Sequence, residues 1–104
     1  MTKHIDFHED LYERLRDPEF AANYLMACIV DNDIAFLPIA LGDIAKAHGM
    51  SKLSEGTGIN RRTLYKIFDK KGNPSFEIIS QIIDYLGLSL QIKPKSKNKR
   101  KKAA

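Results

Sequence analysis

The sequence predicts an all-α fold of about five or six short helices, with room for one short strand near its C-terminal end. Three observations point that way. Apolar residues recur at i, i+3, i+4 and i+7 through most of the 104-residue chain, which places them on single helix faces. Residues that start or stop helices fall between those runs: Asp17-Pro18, Asn60, and glycines at 49, 58 and 87. Strict alternation is confined to Ile5/Phe7 and to Leu88/Leu90/Ile92, so strand is the minor component.

The first helix is expected over 10–16, where Leu11, Tyr12 and Leu15 stand on a charged background. Asp17 then caps a second helix whose first position is Pro18, where the missing N–H costs nothing. Ala21, Tyr24, Leu25, Cys28 and Ile29 form its apolar face, and Asp31-Asn32-Asp33 closes it. A third helix carries Leu37, Ala40, Leu41, Ile44 and Ala45 and stops at Gly49. Pro38 leaves two starts open. A helix beginning at Asp33 would be kinked by it, whereas one beginning near Leu37 would accept it. After two shorter helices and the loop 69–74, a last helix spans 75–86 with the stripe Phe76, Ile79, Ile82, Ile83 and Leu86. The brief strand over 88–92 could pair with Ile5/Phe7, within the chain or across a dimer.

Charge is unevenly spread under the net value of +4. Residues 1–45 carry three Lys/Arg against nine Asp/Glu, residues 46–92 carry seven against four, and the stretch from Lys93 carries seven against none. A basic C-terminal half suits a polyanion, and an acidic front suits a basic partner, although solvated helix faces would look alike. The KPKSKNKRKKAA stretch has too little apolar surface to offset its ordering entropy and is expected to be disordered. Phosphate-backbone binding, pairing with an acidic partner and simple solubility are three readings of it. The acidic front, with Asp6, Glu9, Asp10, Glu13, Asp17 and Glu19, would steer a basic partner or merely face water.

Other function classes find little support. The longest apolar run, from Ile34 to Leu41, is too short to span a bilayer. The polar, acidic opening MTKHIDFHED lacks the features of a secretory signal. One cysteine, Cys28, cannot form an internal disulfide, and the expected compartment is a reducing cytoplasm. His4, His8 and His48 are scattered without metal-ligand spacing. Cys28 reads as a small core residue, Ser51, Ser54 and Ser75 as caps or packing residues, and the glycines form no phosphate cradle. No catalytic residue, metal or cofactor is expected. With 43% hydrophobic residues the core is modest, and dimerisation is a natural supplement.

The informative segment is MSKLSEGTGINRRTLYKIF, residues 50–68. Two helices meeting at a sharp angle need a small residue in the first, a glycine at the turn and apolar side chains at fixed offsets. Ser54 is the small residue, Gly58 the turn, and Leu53, Ile59, Leu64 and Ile67 the buried positions. Asn60 caps the second helix. This is a helix-turn-helix, and the first turn of its second helix would reach base edges in the major groove. The candidate DNA-binding residues are Ser51, Asn60, Arg61, Arg62, Thr63 and Tyr65, with Lys66, Lys70 and Lys71 better suited to phosphates. An arginine can donate two hydrogen bonds to guanine O6 and N7. Whether Arg61 or Arg62 reads bases or phosphates is left open. The chain accordingly divides into an acidic helical segment (1–32), the helix-turn-helix domain (33–92) and the basic tail (93–104).

Residues 38–92 resemble the lambda-repressor-like (XRE) helix-turn-helix domain, with KKGNPSFEIISQIIDYLGLSL as its hallmark loop, helix and Leu-Gly-Leu. DPEFAANYLMACI, ALGDIAKAHGMSKLSEGTGINRRTLYKIF and GNPSFEIISQIIDYLGLSLQI together resemble the addiction-module antidote proteins, HigA-like antitoxins of type II toxin–antitoxin pairs. The resemblance covers roughly residues 8–92. It implies a homodimer that binds double-stranded operator DNA, represses its own operon and neutralises a small basic toxin of the RelE/HigB type. A stand-alone repressor without a toxin, and an interaction module that has lost DNA binding, are the competing readings. The basic tail is not part of the resemblance.

Overall fold

A computed structural model describes residues 7–95, which form six α-helices. They are α1 (Phe7–Leu15), α2 (Pro18–Val30), α3 (Leu37–His48), α4 (Met50–Thr57), α5 (Arg61–Ile67) and α6 (Phe76–Tyr85), with one 3-10 turn (Ile34–Phe36) before α3. The all-helical class is as the sequence predicts. No helix among the described residues is long and apolar enough to cross a membrane.

α1 begins three residues earlier than the apolar spacing implies. Glu9 and Asp10 in its first turn complement the helix dipole, and Asp10 pairs with Arg14 one turn later at 3.4 Å. Phe7 is therefore helical and not part of a strand; Ile5 lies outside the described residues. α2 starts at Pro18 without a side-chain bond from Asp17, so the preset backbone angle of proline does the nucleating work. It closes where Asn32 adopts a left-handed conformation (φ 59°) and the Asp33 N–H donates to the Cys28 carbonyl at 2.7 Å. The 3-10 turn then resolves the two starts left open at Pro38. The helix proper begins at Leu37, and Pro38 sits in its tolerant first turn.

α3 runs through the centre and buries Ala40, Leu41, Ile44, Ala45 and Ala47. Five large side chains are completely enclosed: Leu15, Ile44, Leu53, Leu64 and Ile82. They come from α1, α3, α4, α5 and α6, so the acidic front and the helix-turn-helix share one core. Two polar ties fasten the front to α3. The Tyr24 hydroxyl donates to Asp43 Oδ2 at 2.8 Å, and Arg16 Nε donates to the Ala47 carbonyl at 3.1 Å. Burial, then the hydrogen bond to the Asp43 carboxylate, pushes the Tyr24 phenol well above its ordinary pKa. It remains a donor at any physiological pH.

Helix α6 opens on Ser75, whose hydroxyl accepts from the Ile78 N–H at 3.2 Å. Ile82 and Leu86 from the expected stripe are buried, but Phe76 is 68% exposed on the wall of an open groove. Ile29 of α2 is likewise 48% exposed and not in the core. The strand expected over 88–92 is absent. The last backbone hydrogen bond runs from the Leu88 N–H to the Ile83 carbonyl, and residues beyond it adopt no regular structure up to 95. A lone strand has no partner for its ladder, and within the chain Phe7 of the other alternating pair belongs to α1.

Candidate nucleic-acid interface

Local chemistry in the α4–α5 turn fixes how α5 is presented. Gly58 takes the left-handed conformation (φ 78°), and its N–H donates to the Ser54 carbonyl at 2.8 Å. Thr57 Oγ1 donates to the Leu53 carbonyl at 2.7 Å and accepts from the Ile59 N–H at 3.2 Å. The Ser54 hydroxyl donates to the Ile59 carbonyl at 2.6 Å. Ser54 thus bridges the turn. A close approach elsewhere in α4 is at Gly56, where an added Cβ would overlap the Tyr85 ring of α6. Gly56 needs no unusual backbone angle, and a glycine inside a helical run is itself a signal of packing. Gly42 is its counterpart in α3, where a Cβ would lie 2.7 Å from that of Phe68.

Asn60 caps α5 as expected: its side chain accepts from the Arg62 N–H at 2.7 Å. Asn60→Ala should cost about 0.5–2 kcal/mol of stability, read as a lower thermal midpoint. Substitution by glycine should cost only a few tenths. Equal losses from both would assign the effect to something other than the cap.

Within α5, Leu64 and Ile67 point into the core, while Arg61, Arg62, Thr63 and Lys66 are exposed and Tyr65 is 47% exposed. Among the described residues no protein group holds the side chains of these five. Arg61 and Arg62 occupy the helix's first turn, where a positive charge opposes the macrodipole. Arg62 and Lys66 are four apart, a like-charge spacing that costs a helix about 0.2–0.5 kcal/mol. No acidic residue lies between Asn60 and Phe68 to relieve either strain. The arrangement is unfavourable for the isolated helix and favourable toward an external polyanion.

Lys70 and Lys71 are exposed on the turn that follows α5. Asp69 shapes that turn, its carboxylate accepting from the Lys70 N–H at 2.7 Å and its carbonyl from the Gly72 N–H at 2.8 Å. Ser51 is exposed in the first turn of the neighbouring helix α4, and the Leu53–Leu64 core and Ser54–Ile59 bond connect that helix to α5. Seven of the nine candidates therefore sit on α5 and the turn after it, one is its cap, and Ser51 comes from the preceding helix.

Elsewhere, Cys28 is buried, and burial, with Asp33 and Asp31 adding repulsion, raises its thiol pKa. That makes it a poor nucleophile. Burial, then Arg16, lowers the pKa of His48. Among the described residues no three His, Cys, Asp or Glu side chains group as a metal site would require.

Fold and surface define a class: a small all-helical protein built around a helix-turn-helix with a basic outer face on its second helix. The chain belongs to the family described as probable addiction module antidote proteins, whose model matches residues 5–94. It is 36% identical over 93 residues to an uncharacterized protein of Haemophilus influenzae strain Rd, covering 88% of this chain and 94% of that one. No solved structure matches it. Membership implies, in general terms, a toxin as partner.

Proposed function

We propose that the protein is a cytoplasmic, dimeric, sequence-specific DNA-binding antitoxin of the HigA-like, XRE type. It represses its own operon and neutralises a small basic toxin of the RelE/HigB type. The observation that carries the DNA-binding part is the first turn of α5: two arginines and a threonine, exposed, unpartnered among the described residues and set on a rigid base by Leu64. In this reading Asn60, Arg61, Arg62 and Thr63 face base edges, with Tyr65 and Lys66 beside them. Lys66, Lys70 and Lys71 contact phosphates, which add affinity without sequence information, and Ser51 belongs to the same DNA-facing set. Family membership supports the antitoxin role, and the excess of acidic residues in positions 1–45 is of the sign a basic toxin would meet. The division into a front for the toxin (1–32), a helix-turn-helix unit for DNA (33–92) and a basic tail (93–104) belongs to the same reading.

Titration against the protein's own upstream DNA, at two salt concentrations, tests the repressor role. Tight binding there and weak binding to unrelated duplex are expected. Co-expression with the product of the adjacent reading frame tests the other role: growth arrest by that product should be relieved by this chain. Binding of DNA without relief would leave a stand-alone repressor.

The tail gives a separate expectation; its residues 96–104 lie outside the described ones. Removing 93–104 takes away seven positive charges. Affinity should fall and the salt dependence flatten, with sequence preference nearly unchanged. An unaltered salt slope would show that the tail does not meet phosphates.

A further inference from the structure

Helix α2 is apolar on more than one side. In PEFAANYLMACIV only Glu19 and Asn23 are strongly polar, and a helix apolar almost all round calls for cover on both faces. One face, with Ala21 and Cys28, is buried within the molecule. The opposite one is bare: Met26 is 51%, Ile29 48% and Val30 73% exposed. Met26 and Ile29 form a wall of an open groove of about 880 Å³, closed on its other sides by the start of α3, by α6 and by Leu88–Leu90. Ile34, Phe76 and Leu90 line the same groove and are each half exposed or more. Beyond it Ile92 is almost wholly exposed, on a segment whose backbone makes no hydrogen bond among the described residues. The five large apolar side chains that line the groove, each leaving on the order of 100 Å² uncovered, amount to roughly 500 Å². A patch of that order is at the upper end of what a monomer keeps in water and commonly serves an interface. It is somewhat less than one partner's share of a standard interface, about 800 Å².

We propose that this α2–α3–α6 groove is where a second copy of the chain docks, which gives the homodimer of the functional reading above its surface and rests on that reading. Charge selects the occupant. Among the described residues the only ionisable side chains lining the groove are Glu19 and Lys70, of opposite sign. A basic toxin or a polyanion would be drawn to a surface of one sign, and this one is neutral. A two-fold interface needs a patch complementary to itself, which a neutral apolar face can be. Residues 96–104 offer no large apolar side chain to fill it. Of the nine candidate DNA-binding residues only Lys70 lines the groove, and the first turn of α5 lies outside it.

The test uses the full chain in sedimentation equilibrium from about 1 to 100 μM, a range chosen to bracket micromolar association, with far-ultraviolet circular dichroism alongside. The native protein is expected at dimer mass. Ile29→Glu and Phe76→Glu should each weaken the dimer at least tenfold, an effect of about 1.4 kcal/mol, without loss of helicity. Leu90→Glu provides a variant outside every helix, so its effect cannot come from unfolding one. A native dimer that all these variants keep would overturn the groove while leaving the homodimer standing. A native monomer throughout the range, or one that gains mass only with a basic partner, would overturn both.

Discussion

Replacing Arg61 and Arg62 together by alanine is expected to abolish specific operator binding and leave the helical fold intact. Each bidentate arginine–guanine pair is worth about 1–3 kcal/mol of discrimination. Loss of two would carry affinity most of the way to the non-specific level, which for such proteins is typically about 10³–10⁷-fold weaker. The fold should survive because both side chains are exposed and make no contact with protein groups among the described residues. Alanine also raises helix propensity and removes positive charge from the N-terminal end of α5. The double variant should therefore melt at or slightly above the native temperature while failing to shift its own upstream DNA. Specific binding that persists in a well-folded double variant would move the reading surface elsewhere.

The second large effect is on stability. Leu64→Ala removes a completely enclosed side chain that ties α5 to the rest of the core. Truncations of this kind cost about 2–5 kcal/mol, against a total stability of roughly 5–15 kcal/mol for domains of this order. The thermal midpoint should fall by roughly 10–30 °C. Leu64 lies under the exposed first turn, so operator affinity should fall in step with the folded fraction and not independently of it. A midpoint within a few degrees of native would mean that α5 is not anchored through Leu64, and the rigid presentation of Arg61 and Arg62 would lose its basis.

Both effects converge on one segment whose design was legible before any coordinates. Gly58, Asn60, Leu53, Leu64 and Ile67 were placed from spacing alone, and each takes the expected role. The turn is local: every bond that shapes it joins residues within five positions. Where the sequence reading went astray, the deciding partner lay far along the chain. Nothing local to Gly56 names the Tyr85 ring as its tight neighbour. Phe76 and Ile29 fit helical stripes, yet face a groove, because a stripe records which side chains share a face and not how far the neighbouring helix extends to cover them. Alternation at 88–92 is compatible with a strand, but a strand forms only where its backbone finds a partner to pair with.

The sequence by itself determined an all-helical chain, the helix-turn-helix and the residues exposed in the first turn of its second helix. Those features follow from backbone angles, caps and side-chain periods that act over a few residues. Only the tertiary structure decided that the acidic front shares its core with the helix-turn-helix, where the glycines at 42 and 56 admit their neighbours, and which apolar faces remain uncovered. Burial depends on how elements distant in sequence meet, and a helix's own period cannot encode what lies across from it.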